Sequence, residues 1–269
     1  MSERVIFSIT DGVADVRMNR PEKMNALDPA MFEGLIATGK KLAADKSLRA
    51  VVLSGEGKAF SAGLDFMSFR AMTDPNRVSL ARNLFQSEAA TPGNFAQQAA
   101  FTWHLLPVPV IAAVHGVAYG GGLQVALGAD IRLVAPDTRL SILEIKWGLV
   151  PDMGGTQFLR HLVRLDVVKE LTYTGRILSG TEAVELGLAT RVSEDPYGEA
   201  MKIAREIASK SPEAIRSGKK LLNASRLLGV EEGLKLEADL QRSIIGQPNQ
   251  VEAVNSNLEK RAPRFSDIT

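Results

Sequence analysis

His115-Gly116-Val117-Ala118-Tyr119-Gly120-Gly121-Gly122-Leu123-Gln124 is the stretch whose reading decides the fold of this chain. Residues 109–114 before it form an uninterrupted apolar run, and residues 123–129 after it are mostly helix formers. A buried strand, a tight glycine turn and a helix start follow from that order. Three adjacent residues without Cβ let another atom approach the backbone closely, and the first N–H groups of a helix have no intrahelical acceptor. Such a turn either lets a helix pack tightly on a strand or offers N–H groups to an anion or a carbonyl oxygen.

Upstream, residues 5–10 and 13–18 read as strands joined by Asp11-Gly12, a hairpin signal. Asp28-Pro29 reads as an N-cap with proline at the first helical position, and Met31, Leu35, Ile36 and Leu42 supply an apolar helix face. Residues 50–54 make a buried strand that ends at Gly55-Glu56-Gly57. Downstream, residues 131–135 and 139–143 read as further strands, and the alternation of strand and helix predicts α/β architecture. Residues 70–98 turn polar and irregular, with Asp74-Pro75 and Thr91-Pro92-Gly93 as breakers, so a mobile flap or pocket lip is expected there. A helical pattern resumes over residues 101–106. The C-terminal third reads as mostly helical, with a capping-box pair at Ser179 and Glu182 and another helix opening at Ser211-Pro212-Glu213 and carrying Ile215, Leu221 and Leu222.

Composition narrows the function classes. A chain of 269 residues, 45% hydrophobic, can bury one large core, with or without an appendage. A formal charge of +1 provides no global field toward nucleic acid or an anionic membrane, so neither partner is expected. The absence of cysteine excludes disulfides, a thiol nucleophile and thiolate metal sites. Met1-Ser2-Glu3-Arg4 opens no long apolar segment, and Ser266-Asp267-Ile268-Thr269 is no peroxisomal address, so a cytoplasmic location is expected. Gly55-Glu56-Gly57 has Phe60 where a dinucleotide fingerprint needs its third glycine, and Gly57-Lys58 lacks the Ser or Thr of a phosphate loop. Ala59-Phe60-Ser61-Ala62-Gly63 lacks the first glycine of a nucleophile elbow, which leaves Ser61 as a turn residue. His104, His115 and His161 are scattered without metal-ligand spacing, so no metal is expected.

Lys58-Ala59-Phe60-Ser61-Ala62-Gly63-Leu64-Asp65, the glycine-rich helix start and Gly154-Gly155-Thr156-Gln157 follow one another along the chain. They lie between Asn19-Arg20-Pro21-Glu22-Lys23-Met24-Asn25-Ala26-Leu27 and Glu259-Lys260-Arg261. In that order and spacing they resemble the crotonase family, the enoyl-CoA hydratases and isomerases, over nearly the whole length. The resemblance implies an α/β fold, the crotonase (ClpP-like) superhelix of strand-strand-helix turns. It implies a core with the acyl-CoA site over residues 1–200 and a helical C-terminal trimerisation region over residues 201–269. It also implies a homotrimer or homohexamer, and a coenzyme A thioester as substrate with no separate cofactor.

The family's chemistry gives the glycines a role. A thioester carbonyl that becomes an enolate needs donors at the charged oxygen, and backbone N–H groups in a dry pocket supply fixed dipoles with little reorganisation. By resemblance these are the N–H groups of Leu64 and Gly121. The resemblance also assigns Ala62, Gly63, Leu64, Asp65, Phe66 and Met67, with Lys23, Met24 and Ala26, to the groove for the coenzyme A adenine and pantetheine. Lys23 reads equally as a solvated surface lysine.

Protons must also move, so acids and bases decide which reaction occurs. Hydratases of the family carry a glutamate just after the glycine triplet, where this chain has Gln124, and a second glutamate that is retained as Glu144. An amide is neither acid nor base at neutral pH, but it orients a water or a carboxylate, which places Gln124 among the substrate-binding candidates. Asp152, within Val150-Pro151-Asp152-Met153-Gly154-Gly155, stands where hydratases have a small residue. The pair Glu144 and Asp152 resembles the dienoyl-CoA isomerase branch, in which two carboxylates shuttle protons along a conjugated acyl chain. That branch has an aspartate at the Gln124 position, so the match is partial. Burial and mutual repulsion would raise at least one pKa of such a pair. By analogy Asp152 acts beside the thioester and Glu144 at the remote carbon.

Plainer roles exist for each residue. Asp152 reads as the N-cap of a helix beginning near Gly155, Glu144 as a surface partner of Lys146 or Arg160, and Trp147 and Tyr119 as either acyl-pocket or core aromatics. Lys260, Arg261 and Arg264 read as a solvated terminal face. The leading expectation is an acyl-CoA isomerase of fatty acid metabolism that shifts double bonds in enoyl- or dienoyl-CoA. The alternatives are a hydratase using Glu144 with a water placed by Gln124, a non-catalytic acyl-CoA binder, and a thioester hydrolase.

Overall fold

A computed structural model describes residues 3–76, 85–87 and 92–268. The expected flap over residues 70–98 therefore lies partly outside the described residues, as does Thr91 of its second breaker.

Strands β1 (Val5–Thr10) and β2 (Val13–Met18) form the expected antiparallel hairpin, with Val5 opposite Met18. Asp11 and Gly12 at its tip both adopt positive φ, the geometry that matches the twist of the flanking strands. Among the described residues, β3 (Ala50–Gly55), β4 (Val110–Val114), β6 (Ile131–Val134) and β8 (Arg191–Val192) extend β2 in parallel. The resulting six-stranded sheet runs β1-β2-β3-β4-β6-β8. A second, two-stranded parallel sheet pairs β5 (Val117–Tyr119) with β7 (Arg139–Ser141). Isolated bridges extend it to Ser61 on one side and Leu178 on the other.

The chain thus climbs in turns. Each turn passes along the larger sheet, crosses to the smaller one and continues through a helix or a short helical loop: β4, β5 and α4 (Gly121–Leu127) show the pattern most fully. The sequence predicts one strand running into the glycine turn; the structure instead breaks the chain at His115-Gly116 and starts a new strand at Val117. Gly116 has φ +63°, and a Cβ there would lie 2.0 Å from the Lys58 carbonyl oxygen, so only glycine permits the step between sheets.

Strand alternation divides the interior. Val51, Leu53, Val110, Ala112 and Val114 point into the large core under α1 (Pro29–Ala43) and α3 (Phe95–Leu105). Val13, Ala50, Val52, Ile111, Ala113 and Leu133 point to the other face, against Ala200 and Ala204 of α8 (Pro196–Ala208). Asp28 caps α1 by accepting the Met31 N–H at 2.9 Å. Helix α3 begins at a full capping box, Asn94 with Gln97, several residues before the helix expected from the apolar pattern. Between lie α2 (Phe66–Met72), and then α5 (Gly155–Leu162), α6 (Leu165–Thr174) and α7 (Gly180–Glu185) follow β7.

The expected division between residues 200 and 201 falls inside α8, which is part of the core because its small alanines pack on the sheet. The helices that stand away from the sheet begin later, with α9 (Pro212–Ser225), α10 (Val230–Ile244) and α11 (Pro248–Leu258). Helix α10 buries none of its residues, and Leu222, Leu227, Val230, Leu234 and Leu258 are exposed on this unit. One buried ion pair anchors it: Lys219 Nζ donates to Asp130 Oδ2 at 2.8 Å and to the Val108 carbonyl at 2.9 Å. Asp130 also accepts the Val110 N–H. Removing the cation would leave a half-buried carboxylate with only the Val110 N–H, so Lys219→Met is expected to destabilise the chain by about 2 kcal/mol in urea denaturation.

Candidate active site

The candidate site is built where the turns cross between sheets. Asn25 is fully buried with φ +53°; its amide donates to the carbonyls of Glu56 (2.9 Å) and Ala59 (2.8 Å), and its Oδ1 accepts the Arg20 N–H. Asparagine tolerates this left-handed backbone better than most residues, and its side chain replaces backbone partners that a loop otherwise lacks. The loop so held pairs with the next one: Ala62 N–H donates to Met24 O, Leu27 N–H to Gly63 O and Asp65 N–H to Leu27 O. Ser61 N–H donates to Val117 O, and Tyr119 N–H to Ser61 O, which lays residues 61–64 beside β5. Ser61 Oγ is engaged with Asn25 O and the Gly63 N–H in a fully buried position, a structural role and not that of a nucleophile.

Two N–H groups are left over from this pairing. Leu64 N–H, between the paired amides of its neighbours, and Gly121 N–H, at the first position of α4, find no acceptor among the described residues. The two segments touch closely. A Cβ on Gly63, whose φ is +83°, would lie 2.5 Å from the Tyr119 carbonyl oxygen and 3.6 Å from the Gly121 nitrogen. On Gly122 it would lie 2.6 Å from the Ser61 carbonyl oxygen. The glycines are required for both packing and donor exposure.

A cavity of about 340 Å³ opens onto these donors. Ala62, Gly63, Leu64, Gly120 and Gly121 form its floor, and Phe32, Phe66, Phe69, Met72, Phe85, Leu143, Trp147 and Leu149 contribute apolar walls. Trp147 stacks on Phe69 with ring centroids 4.2 Å apart. Glu144 and Asp152 supply the charged side chains among the described lining residues. Glu144 opens a short 3-10 turn, Glu144–Trp147, directly after β7; the expected strand over residues 139–143 stops at Ser141. Its carboxylate is buried and has no ion pair among the described residues, which removes the surface pairing with Lys146 or Arg160. Asp152 does not cap α5, whose N-cap is Gly154 in a left-handed conformation. Burial pushes both carboxyls above the ordinary carboxylate range, and the charge on Asp152 adds to the effect on Glu144.

Gln124 takes one of its two expected roles, that of orienting a carboxylate. It is buried and absent from the cavity lining: its Nε2 donates to Glu144 Oε1 at 2.6 Å, and its Oε1 accepts the N–H groups of Met153 and Gly155, each at 2.9 Å. Its amide is committed to the protein and not to substrate. Asp65 is likewise withdrawn from substrate contact, because its carboxylate caps α2 through the Met67 N–H and pairs with Arg20 at 2.6 Å. Lys23, Met24 and Met67 are exposed outside the cavity lining, and Ala26 is buried beneath the loop. His104, His115 and His161 lie outside the cavity lining, and no cluster of three metal-ligating side chains occurs among the described residues. Sequence reasoning passed over Asn25 and Arg20 as individual residues; the signal was a polar, turn-forming Asn-Ala-Leu stretch next to an arginine and two acids, Asp28 and Asp65, that fold around it.

Residues 8–268 match the profile of the family described as enoyl-CoA hydratase/isomerase. The chain belongs to that family. It is 34% identical over 262 residues to the mouse mitochondrial Delta(3,5)-Delta(2,4)-dienoyl-CoA isomerase, covering 95% of this chain and 79% of the relative. It is 33% identical over 261 residues to mouse enoyl-CoA hydratase domain-containing protein 2, covering 94% and 84%. The crystal structure of enoyl-CoA hydratase from Bacillus anthracis superposes with a TM-score of 0.87 at 31% identity, covering 97% of this chain and 98% of that one. The architecture is the crotonase fold.

Two outcomes test the site. Gly63→Ala would press its Cβ on the Tyr119 carbonyl and separate the two donors, so turnover of a family thioester substrate is expected to fall about a hundredfold or more in a steady-state assay. Because the Glu144 pKa is raised in the fold, its charged form costs stability as pH climbs from the unfolded carboxylate value through the folded one. Glu144→Gln is therefore expected to raise the melting temperature at about pH 8 and to leave it little changed at roughly pH 4.

Proposed function

We propose that this member of the enoyl-CoA hydratase/isomerase family is an acyl-CoA isomerase that shifts double bonds in an enoyl- or dienoyl-CoA. The observation that carries the reading is the presence of two carboxyls, the buried Glu144 and the half-buried Asp152, in one apolar cavity with two free backbone donors. The chain's identity with a protein named as a dienoyl-CoA isomerase supports the same direction.

One carboxylate removes a proton from the carbon beside the thioester carbonyl. The electron pair moves onto the carbonyl oxygen, where the N–H groups of Leu64 and Gly121 stabilise the charge as fixed dipoles. The other carboxyl, whose proton affinity burial raises, delivers a proton to the far end of the conjugated system, and the pair returns from the oxygen. On the family analogy Asp152 acts beside the thioester and Glu144 at the remote carbon. Apolar walls around Trp147 and Phe69 receive the acyl chain and exclude water.

Lys23, Met24 and Met67, exposed outside the cavity lining, are the candidates to meet the coenzyme A moiety. The thioester is substrate, and the reaction as written moves protons only, so no further cofactor enters. The exposed apolar residues of α9 to α11 are the surface on which copies of the chain would meet as trimers or hexamers in a cytoplasmic setting. A hydratase is the competing reading, and it needs a water held between two polar groups. Gln124 has both ends of its amide bonded to protein, which disfavours that role.

Parallel assays of crotonyl-CoA hydration and 3,5-dienoyl-CoA isomerisation separate the two. Isomerisation is expected to dominate, and Asp152→Asn to lower it at least about a hundredfold while the thioester still binds. Fast hydration with slow isomerisation would overturn the assignment.

A further inference from the structure

We infer that Gln124 is a positioning residue that decides which oxygen of Glu144 carries the reactive proton and ties Glu144 to the turn bearing Asp152. This deepens the isomerase reading and rests on it for its catalytic meaning.

The orientation of the Gln124 amide is forced by its surroundings. Two backbone donors, Met153 N–H and Gly155 N–H, converge on one end, so that end must be the carbonyl oxygen; a flipped amide would set an NH₂ group against two N–H groups. The NH₂ end therefore faces Glu144, and Glu144 Oε1 accepts from it. An oxygen engaged as an acceptor is a poor place for a proton. The proton of Glu144 consequently resides on Oε2, the oxygen with no hydrogen-bond partner among the described residues. Glu144 lines the cavity, and Oε2, itself buried, is the carboxyl oxygen that no protein group engages among the described residues.

The same amide opposes the shift imposed by burial. Burial and the neighbouring charge of Asp152 raise the Glu144 pKa, whereas the hydrogen bond from Gln124 lowers it by favouring the ionised form. Asp152 is the charged neighbour that acts on Glu144. Through Met153 and Gly155 the amide also grips the backbone on both sides of Gly154, immediately after Asp152. Packing leaves no slack here: a Cβ on Gly155 would lie 2.9 Å from the Gln124 carbonyl oxygen. One uncharged residue thus ties the two carboxyl-bearing segments together and tunes the proton affinity of Glu144 from outside the cavity lining.

The test uses Gln124→Met, which keeps the length of the side chain and removes both hydrogen-bonding ends, and Gln124→Glu, which keeps the acceptor for Met153 and Gly155 but loses the donor to Glu144. The Glu144 carboxyl, assigned by its loss in Glu144→Gln, is titrated by carboxyl-carbon NMR in each folded protein. Its midpoint is expected to move to higher pH in both variants. In steady-state assays of the 3,5-dienoyl-CoA substrate, kcat is expected to fall about tenfold or more with KM nearly unchanged, and the limb of the pH profile belonging to Glu144 to move upward with the NMR midpoint. An unchanged NMR midpoint in Gln124→Met, or a raised KM with an unshifted pH profile, would overturn the positioning role. If no dienoyl-CoA is turned over by the parent chain, the NMR arm still decides the role of Gln124, and the failure belongs to the isomerase reading.

Discussion

Every functional feature of this chain depends on one piece of backbone pairing, the contact of residues 61–64 with Val117–Gly121. Ser61 exchanges hydrogen bonds with Val117 and Tyr119, and that short ladder brings Leu64 and Gly121 together in the lining of one cavity. The contact is possible because no Cβ intervenes at Gly63 or Gly122. It is supported from below by Asn25, whose amide occupies three backbone partners, and from the side by Arg20, held between Asp28 and Asp65. Buried polar groups are tolerated here because nearly all are paired, and the exceptions among the described residues include Glu144 Oε2.

That exception shows how the fold accommodates chemistry. An unpaired carboxylate oxygen beside a second half-buried carboxyl is unfavourable for stability, since desolvation penalises each charge and their repulsion adds to it. The surrounding structure offsets the penalty with two well-packed cores on either side of a six-stranded sheet. Gln124 limits it further by donating to the other oxygen. The result is a pair of groups whose proton affinities lie nearer neutrality than those of exposed carboxylates, in a cavity walled by apolar side chains.

Much of the fold was legible locally. The hairpin tip at Asp11-Gly12, the Asp28 cap and the apolar strands appear where turn chemistry and alternation place them. The small second sheet was legible only in part: the strand at residues 139–143 was read, but β5 is too short to show a period, and its pairing with β7 is defined only in three dimensions. The expected division between residues 200 and 201 cut through helix α8 for a related reason: alanines at its sheet-facing positions look unremarkable in sequence and become core only once the sheet lies beneath them. At the site, the family resemblance pointed to the two donors and both acids, and the structure places all four residues on one cavity. Asp65 and Gln124, expected among the substrate contacts, are bonded to protein groups, because a residue type says what a side chain bonds with but not whether a nearer protein group has already engaged it.

By itself, then, the sequence determined the α/β class, the family, the glycine turn and the two acids Glu144 and Asp152, because these depend on local periodicity and on residues whose chemistry has few substitutes. Only the tertiary structure decided that the acids share one cavity, that Leu64 and Gly121 keep free N–H groups, and that Gln124 faces Glu144 and not the substrate. Those facts depend on which backbone groups are left unpaired and which side chains are already bonded after segments distant in sequence have packed together, and local pattern carries no record of that competition.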